Sequence, residues 1–108
     1  MNPPRVIAEA TRRAPCAPPP KCNADALSDR GAQQFVANRF AESLAAYEAA
    51  YACKPAPMLI LKAFVVACNL RNVAKARSYW RRLPLEKRTL ALVTCVRNDI
   101  PEKLLNAP

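Results

Sequence analysis

Cys16, Cys22, Cys53, Cys68 and Cys95 are the residues of this 108-residue chain best suited to covalent chemistry. Thiols can join as disulfides, hold a metal, attack as nucleophiles or fill a core as small apolar side chains. Zinc sites built from cysteines draw ligands in pairs about two to four residues apart. The tightest pair here, Cys16 and Cys22, is wider than that. The chain has no histidine, which removes the commonest metal ligand and general base and every Ser-His or Cys-His nucleophile. Cross-links on one hand, and buried or free thiols on the other, both stay open at this level.

The acidic residues do not assemble into a catalytic pair. Glu42 and Glu48 fall on different sides of any helix that carries both. Asp25 and Asp29 are one helical turn apart and suit the positive end of a helix dipole. With Gly31 as its only glycine, the chain has no glycine-rich phosphate loop. These residues point to a non-catalytic protein and imply neither a cofactor nor a metal.

The net charge is +9, from seventeen basic and eight acidic residues, and favours anionic partners. The cations concentrate late in the chain, in a patch of Arg71, Lys75, Arg77, Arg81, Arg82 and Arg88, with Lys87 and Arg97 nearby. Arg71, Lys75 and Arg82 share one side of a helix while Arg77 and Arg81 share another, so the charge encircles the helix instead of forming a stripe. Trp80 falls on the packing face and leaves no exposed aromatic platform for bases. A solvated surface is the plainer reading. A nucleic-acid-binding module working in the cytoplasm is the alternative.

These residues need elements to position them, and the elements are helices. Six of the eleven prolines lie in the first twenty residues, beside Arg5, Arg12 and Arg13, so residues 1–21 read as an extended, mobile arm or linker. The arm has no apolar run of the ~7–15 residues that a signal peptide needs. The longest apolar run, Ala56 to Cys68, is interrupted by Lys62 and falls short of the ~20 residues of a membrane span. From residue 22 onward, breaks occur at proline, asparagine and Arg-Asn positions. Five helices are expected: Ala24 to Ala37 with Asn23 as N-cap, Ala41 to Cys53, Met58 to Leu70, Val73 to Leu83, and Leu85 to Arg97. The third is apolar nearly all round and should lie at the centre. The fourth presents Val73, Ala76, Trp80 and Leu83 inward, and the fifth Leu90, Val93 and Val96. Pro101 closes the folded domain, 22–100, and leaves 101–108 as a tail.

A repeat lies within these helices. Phe40, Ser43, Tyr47 and Ala50 match Val73, Ala76, Trp80 and Leu83 at an offset of 33 residues. This pattern resembles the tetratricopeptide repeat. Leu27 sits at its early apolar position, Gly31 at the glycine where two helices touch, Phe40, Tyr47 and Ala50 at its aromatic and alanine positions, and Pro55 at its terminal proline. Ser43 replaces the usual alanine and Arg30 the usual leucine. The second unit keeps Ala76 and Trp80 but lacks the glycine. The run Ala76 to Pro84, with Cys95 to Asn98, is also similar to the cysteine-bearing tetratricopeptide-like domains at the C-terminal ends of some Gram-negative multi-domain proteins. The resemblance implies an all-α fold of two antiparallel helical hairpins plus a C-terminal capping helix.

Within such hairpins the start of the first helix lies beside the end of the second, so Cys22 meets Cys53. Helices three and five run parallel in adjacent units, so Cys68 meets Cys95. Cys16 is left over. About three repeats are normally needed to bury their faces, so two units gain from such staples. The resemblance further implies a peptide-binding surface on the first helix of each unit, formed by Asp25, Ser28 and Phe35 and by Met58, Leu61 and Asn69, with Ala32, Val36 and Val65 between them. The Lys/Asn carboxylate clamp of chaperone-binding members is missing. The expected role is protein–protein interaction or scaffolding with a protein or peptide partner, acidic if the charge is used. The chain then reads as a fragment or terminal domain of a larger exported bacterial protein, in the periplasm or at the cell surface. Disulfides fit that setting, and reduced thiols fit the cytoplasm.

Overall fold

The computed structural model describes residues 22–108 as an all-α protein. Six helices follow in order: α1 (Ala24–Val36), α2 (Phe40–Cys53), α3 (Pro57–Asn69), α4 (Val73–Arg82), α5 (Leu85–Arg97) and α6 (Glu102–Leu105). The proline-rich arm and Cys16 lie outside the described residues. Among the described residues no helix is long and apolar enough to cross a membrane.

The helix boundaries follow from side-chain chemistry. Asn23 caps α1 by accepting from the Ala26 amide at 3.1 Å, and Asn72 caps α4 by accepting from the Lys75 amide at 3.0 Å. Each satisfies a backbone donor that the first turn leaves without a partner. Helices α1, α3 and α5 end alike. Asn38, Arg71 and Asp99 each adopt a left-handed conformation one residue past the C-cap, with φ of 62°, 58° and 65°. The amide after each bonds back to a carbonyl five residues earlier: Arg39 to Gln34 at 2.8 Å, Asn72 to Ala67 at 3.0 Å, and Ile100 to Cys95 at 2.9 Å. This is the Schellman arrangement, which ties up carbonyls left over at a helix end and reverses the chain sharply. Asn38 and Arg71 are separated by the same 33 residues as the sequence repeat.

Packing builds outward from α3, which touches α2, α4 and α5. Ile60, Ala63, Phe64, Val66, Ala67 and Cys68 of α3 are buried. Phe64 meets Trp80 of α4 with ring centroids 5.7 Å apart. The repeat-matched positions share their burial: Ser43 with Ala76, Tyr47 with Trp80 and Ala50 with Leu83 are buried, while Phe40 and Val73 are half-buried. Tyr79 joins the inner face of α4 as well.

Two expectations need correction. The first concerns α5, where Leu90, Val93 and Val96 are exposed and Ala91 and Cys95 face the core instead. Cys95 lies opposite Cys68 with a Cα–Cα distance of 4.6 Å. Helices that close admit only small residues at the contact, so the bulkier ones turn outward. The second concerns residues 101–108, which do not trail away. Ile100 and Leu105 are fully buried, and α6 packs on α4 and α5. Trp80 Nε1 donates to Asn106 Oδ1 at 2.8 Å, Arg77 Nε to the Leu104 carbonyl at 3.0 Å, and Arg81 to the Ala107 carbonyl at 2.9 Å.

Candidate interaction surface

Gly31 sets the geometry of the first two helices. It is the one buried residue of α1, and a Cβ placed on it would lie 2.9–3.0 Å from three ring atoms of Tyr47. Only glycine therefore lets the Tyr47 ring come this close to α1. The hydroxyl of Ser43, fully buried, donates to the Gly31 carbonyl at 2.7 Å. Ser43 thus adds a polar tie at the point of closest approach. Cys22, just before α1, lies 5.3 Å in Cα–Cα distance from Cys53 at the end of α2. Both cysteine pairs are at disulfide-bonding distance, as the helix positions suggest.

Beside this contact an apolar groove of about 330 Å³ opens between α1 and α3. Phe35 forms one wall, Met58, Leu61 and Val65 the other, and Tyr47 and Val66 the floor. Lys62 stands at its edge with its ammonium 5.9 Å from the Tyr47 ring centroid. Burial raises the pKa of the Tyr47 hydroxyl and the nearby charge of Asp29 adds to it, so the floor stays neutral at physiological pH. Of the residues assigned to this surface from sequence, Phe35, Met58, Leu61 and Val65 come together here. Asp25, Ser28, Ala32 and Val36 do not line the groove, and Val36 is largely exposed. Asn69 spends its amide on the Val65 carbonyl of its own helix at 2.9 Å. The contribution of Tyr47 and Lys62 was not assigned from sequence. The lone glycine of α1 marks where a bulky side chain can approach, but does not say which one does.

On the opposite side α2 and α4 share a polar cluster. Glu48 accepts from Lys75 Nζ at 2.7 and 2.9 Å and from the Tyr79 hydroxyl, while the Arg82 guanidinium lies 5.7 Å from the Tyr79 ring centroid. Burial holds the Tyr79 pKa well above its ordinary value, helped by the hydrogen bond to Glu48 and by that carboxylate's charge, and opposed by Arg82. Tyr51, Leu59 and Ala63 complete a small polar-rimmed recess around this cluster.

Each of the six cations of the sequence-assigned basic patch has an intramolecular contact. Lys75 pairs with Glu48, and Arg71 lies 3.8 Å from Asp99 in an exposed pair. Arg77 and Arg81 hold the C-terminal segment, and Arg82 covers Tyr79. Arg88 donates to the carbonyls of Leu83 and Arg81 and lies 5.1 Å from the Trp80 ring centroid. No group of metal-ligating side chains occurs among the described residues.

No family model, curated protein or solved structure matches this chain. Its function must therefore be argued from its own surfaces.

Proposed function

We propose that this chain is a protein–protein interaction module built from two tetratricopeptide-like hairpins, α1–α2 and α3–α4, closed by α5 and α6. The shared turn at Asn38 and Arg71 and the shared burial of the matched positions support the repeat. The observation that carries the function is the apolar groove on α1 and α3. Its lining is almost entirely apolar and it is open to solvent, which is the character of a small binding cleft. Its occupant is a peptide segment of another protein that places an apolar side chain over Tyr47 and an acidic one beside Lys62. Two cysteine pairs at bonding distance support an oxidising, extracytoplasmic setting in a larger exported protein. The six cations of the basic patch already contact groups of their own chain, which disfavours a nucleic-acid role.

A displayed random-peptide library selected on the oxidised protein tests this reading. Selected peptides should carry an apolar anchor flanked by Asp or Glu. Met58→Asp should weaken them about ten-fold or more, and Lys62→Glu should reverse the acidic preference. Both variants should keep the parent's thermal midpoint. Peptides that bind both variants as tightly as the parent would sink the proposal.

A further inference from the structure

The outer face of α5 is apolar where a closing helix should be polar. Leu85, Leu90, Val93 and Val96 are 74%, 83%, 44% and 53% exposed, and the opposite face, with Ala91 and Cys95, is buried on α3. Terminal elements of helical arrays normally present a polar outer surface. This one presents a seam. Glu86, Leu90, Val93 and Arg97 are all exposed and recur at spacings of four, three and four, the interval that keeps one line of side chains facing a partner helix. A groove of about 200 Å³ lined by Thr89, Leu92, Val93, Val96 and Arg97 lies on the same helix, and Leu90 is the most exposed of these apolar residues.

We propose that a second copy of this chain covers this face, with α5 packed antiparallel on α5 about a two-fold axis between Leu90 and Val93. The order of charges selects both occupant and direction. In that arrangement Leu90 of each copy stands opposite Val93 of the other, and Glu86 of each stands opposite Arg97 of the other. A parallel pairing sets Glu86 against Glu86 and Arg97 against Arg97, which is repulsive at both ends. The surface is thus self-complementary in the way a two-fold interface requires. One helix of 13 residues forms the seam, so the buried area falls below the roughly 1,200 Å² of stable interfaces and the dimer is weak and reversible. The proposal does not depend on the α1–α3 groove, which lies on other helices.

Sedimentation equilibrium of the full chain carrying Cys16→Ser, from about 10 µM to about 1 mM under oxidising conditions, tests it. Cys16→Ser excludes a covalent dimer. The expected result is a reversible rise toward twice the monomer mass. Glu86→Arg should weaken association about ten-fold or more, because symmetry applies the change twice, and Arg97→Glu should do the same. The double exchange Glu86→Arg with Arg97→Glu should restore it to within about three-fold. Leu90→Glu should abolish it while the thermal midpoint of the dilute monomer stays unchanged. A parent that remains monomeric at the highest concentration overturns the proposal. So does association that is indifferent to Leu90→Glu, or a charge exchange that fails to rescue either single variant.

Discussion

Gly31→Ala separates two opposing terms in a single methyl group. Helix propensity alone predicts a gain, because alanine inside a helix is favoured over glycine by about 0.8–1.0 kcal/mol. The packing predicts a loss. The new Cβ would stand 2.9 Å from Cε1 and Cζ of Tyr47 and 3.0 Å from its Cδ1, well inside ordinary carbon contact near 3.5–4.0 Å. The contact involves three ring atoms of a buried side chain, so one flexible tip cannot simply swing aside. Overpacking of this kind costs about 1–3 kcal/mol. Moving α1 outward instead stretches the 2.7 Å bond from Ser43 to the Gly31 carbonyl and pulls against Cys22–Cys53. We expect packing to win by about 1 kcal/mol, a fall in thermal midpoint of about 4–8 °C. Denaturant unfolding of oxidised protein is the assay, with Tyr47→Leu and the double variant completing a cycle. The double variant should be more stable than the sum of the two single effects, since the shorter side chain leaves room for the methyl group. An alanine variant at least as stable as the parent, with additive energies, would refute the close contact as the reason for glycine here.

Replacing Cys68 and Cys95 by serine opens a loop of 27 residues and should lower stability by about 3.5 kcal/mol on the chain-entropy account, while intact-mass measurement of the parent should show two hydrogens missing for each bridge. Arg71→Gly should raise the thermal midpoint by a few degrees, because a side chain in the left-handed region costs about 1–2 kcal/mol and the exposed pair with Asp99 contributes little. The unfolded chain ionises Tyr79 near pH 10.0, whereas the folded chain keeps its proton to higher pH. Its contribution is therefore complete below about pH 10 and declines as pH rises through the folded value, so Tyr79→Phe should flatten the alkaline fall in unfolding free energy measured between about pH 9 and 12.

The helices were legible because their signals are local. Asparagine caps, proline stops and the apolar character of α3 each act within a few residues, and the 33-residue offset relates positions that share their burial. The cysteine pairs were also legible, since helix ends brought together by a hairpin need only a correct order of elements. The outward side of α5 was not. Its Leu90, Val93 and Val96 stripe is as amphipathic as a buried one, and what turns it away from the core is the approach of α5 to α3 at Cys68 and Cys95. The C-terminal segment was missed for a related reason. Pro101 ends one helix, but nothing local says that Leu105 will find a pocket or that Arg77 and Arg81 will bond carbonyls about 26 residues further along. In the candidate groove, Phe35, Met58, Leu61 and Val65 were implied by the resemblance to a helical repeat. Lys62 and the Tyr47 floor depend on how α2 passes beneath them.

A small helical domain has too little interior to stabilise itself by apolar burial alone, and this chain adds contacts of different kinds. The Cys22–Cys53 pair ties the start of α1 to the end of α2, Glu48 joins α2 to α4 through Lys75 and Tyr79, and the segment ending in α6 packs on α4 beside Trp80. Every one of these ties lies away from the open groove on α1 and α3. That separation has a consequence for binding. The groove walls come from α1 and α3, and its floor includes the tyrosine pressed on Gly31. Peptide affinity therefore depends on the α1–α2 approach even though Gly31 lines no part of the groove. Gly31→Ala should weaken peptides selected on the parent, whereas a change of equal thermal cost at Leu105 should not, because α6 packs on α4 and α5, which do not line the groove. Equal losses of affinity from both would mean that global stability, and not the position of Tyr47, controls the groove.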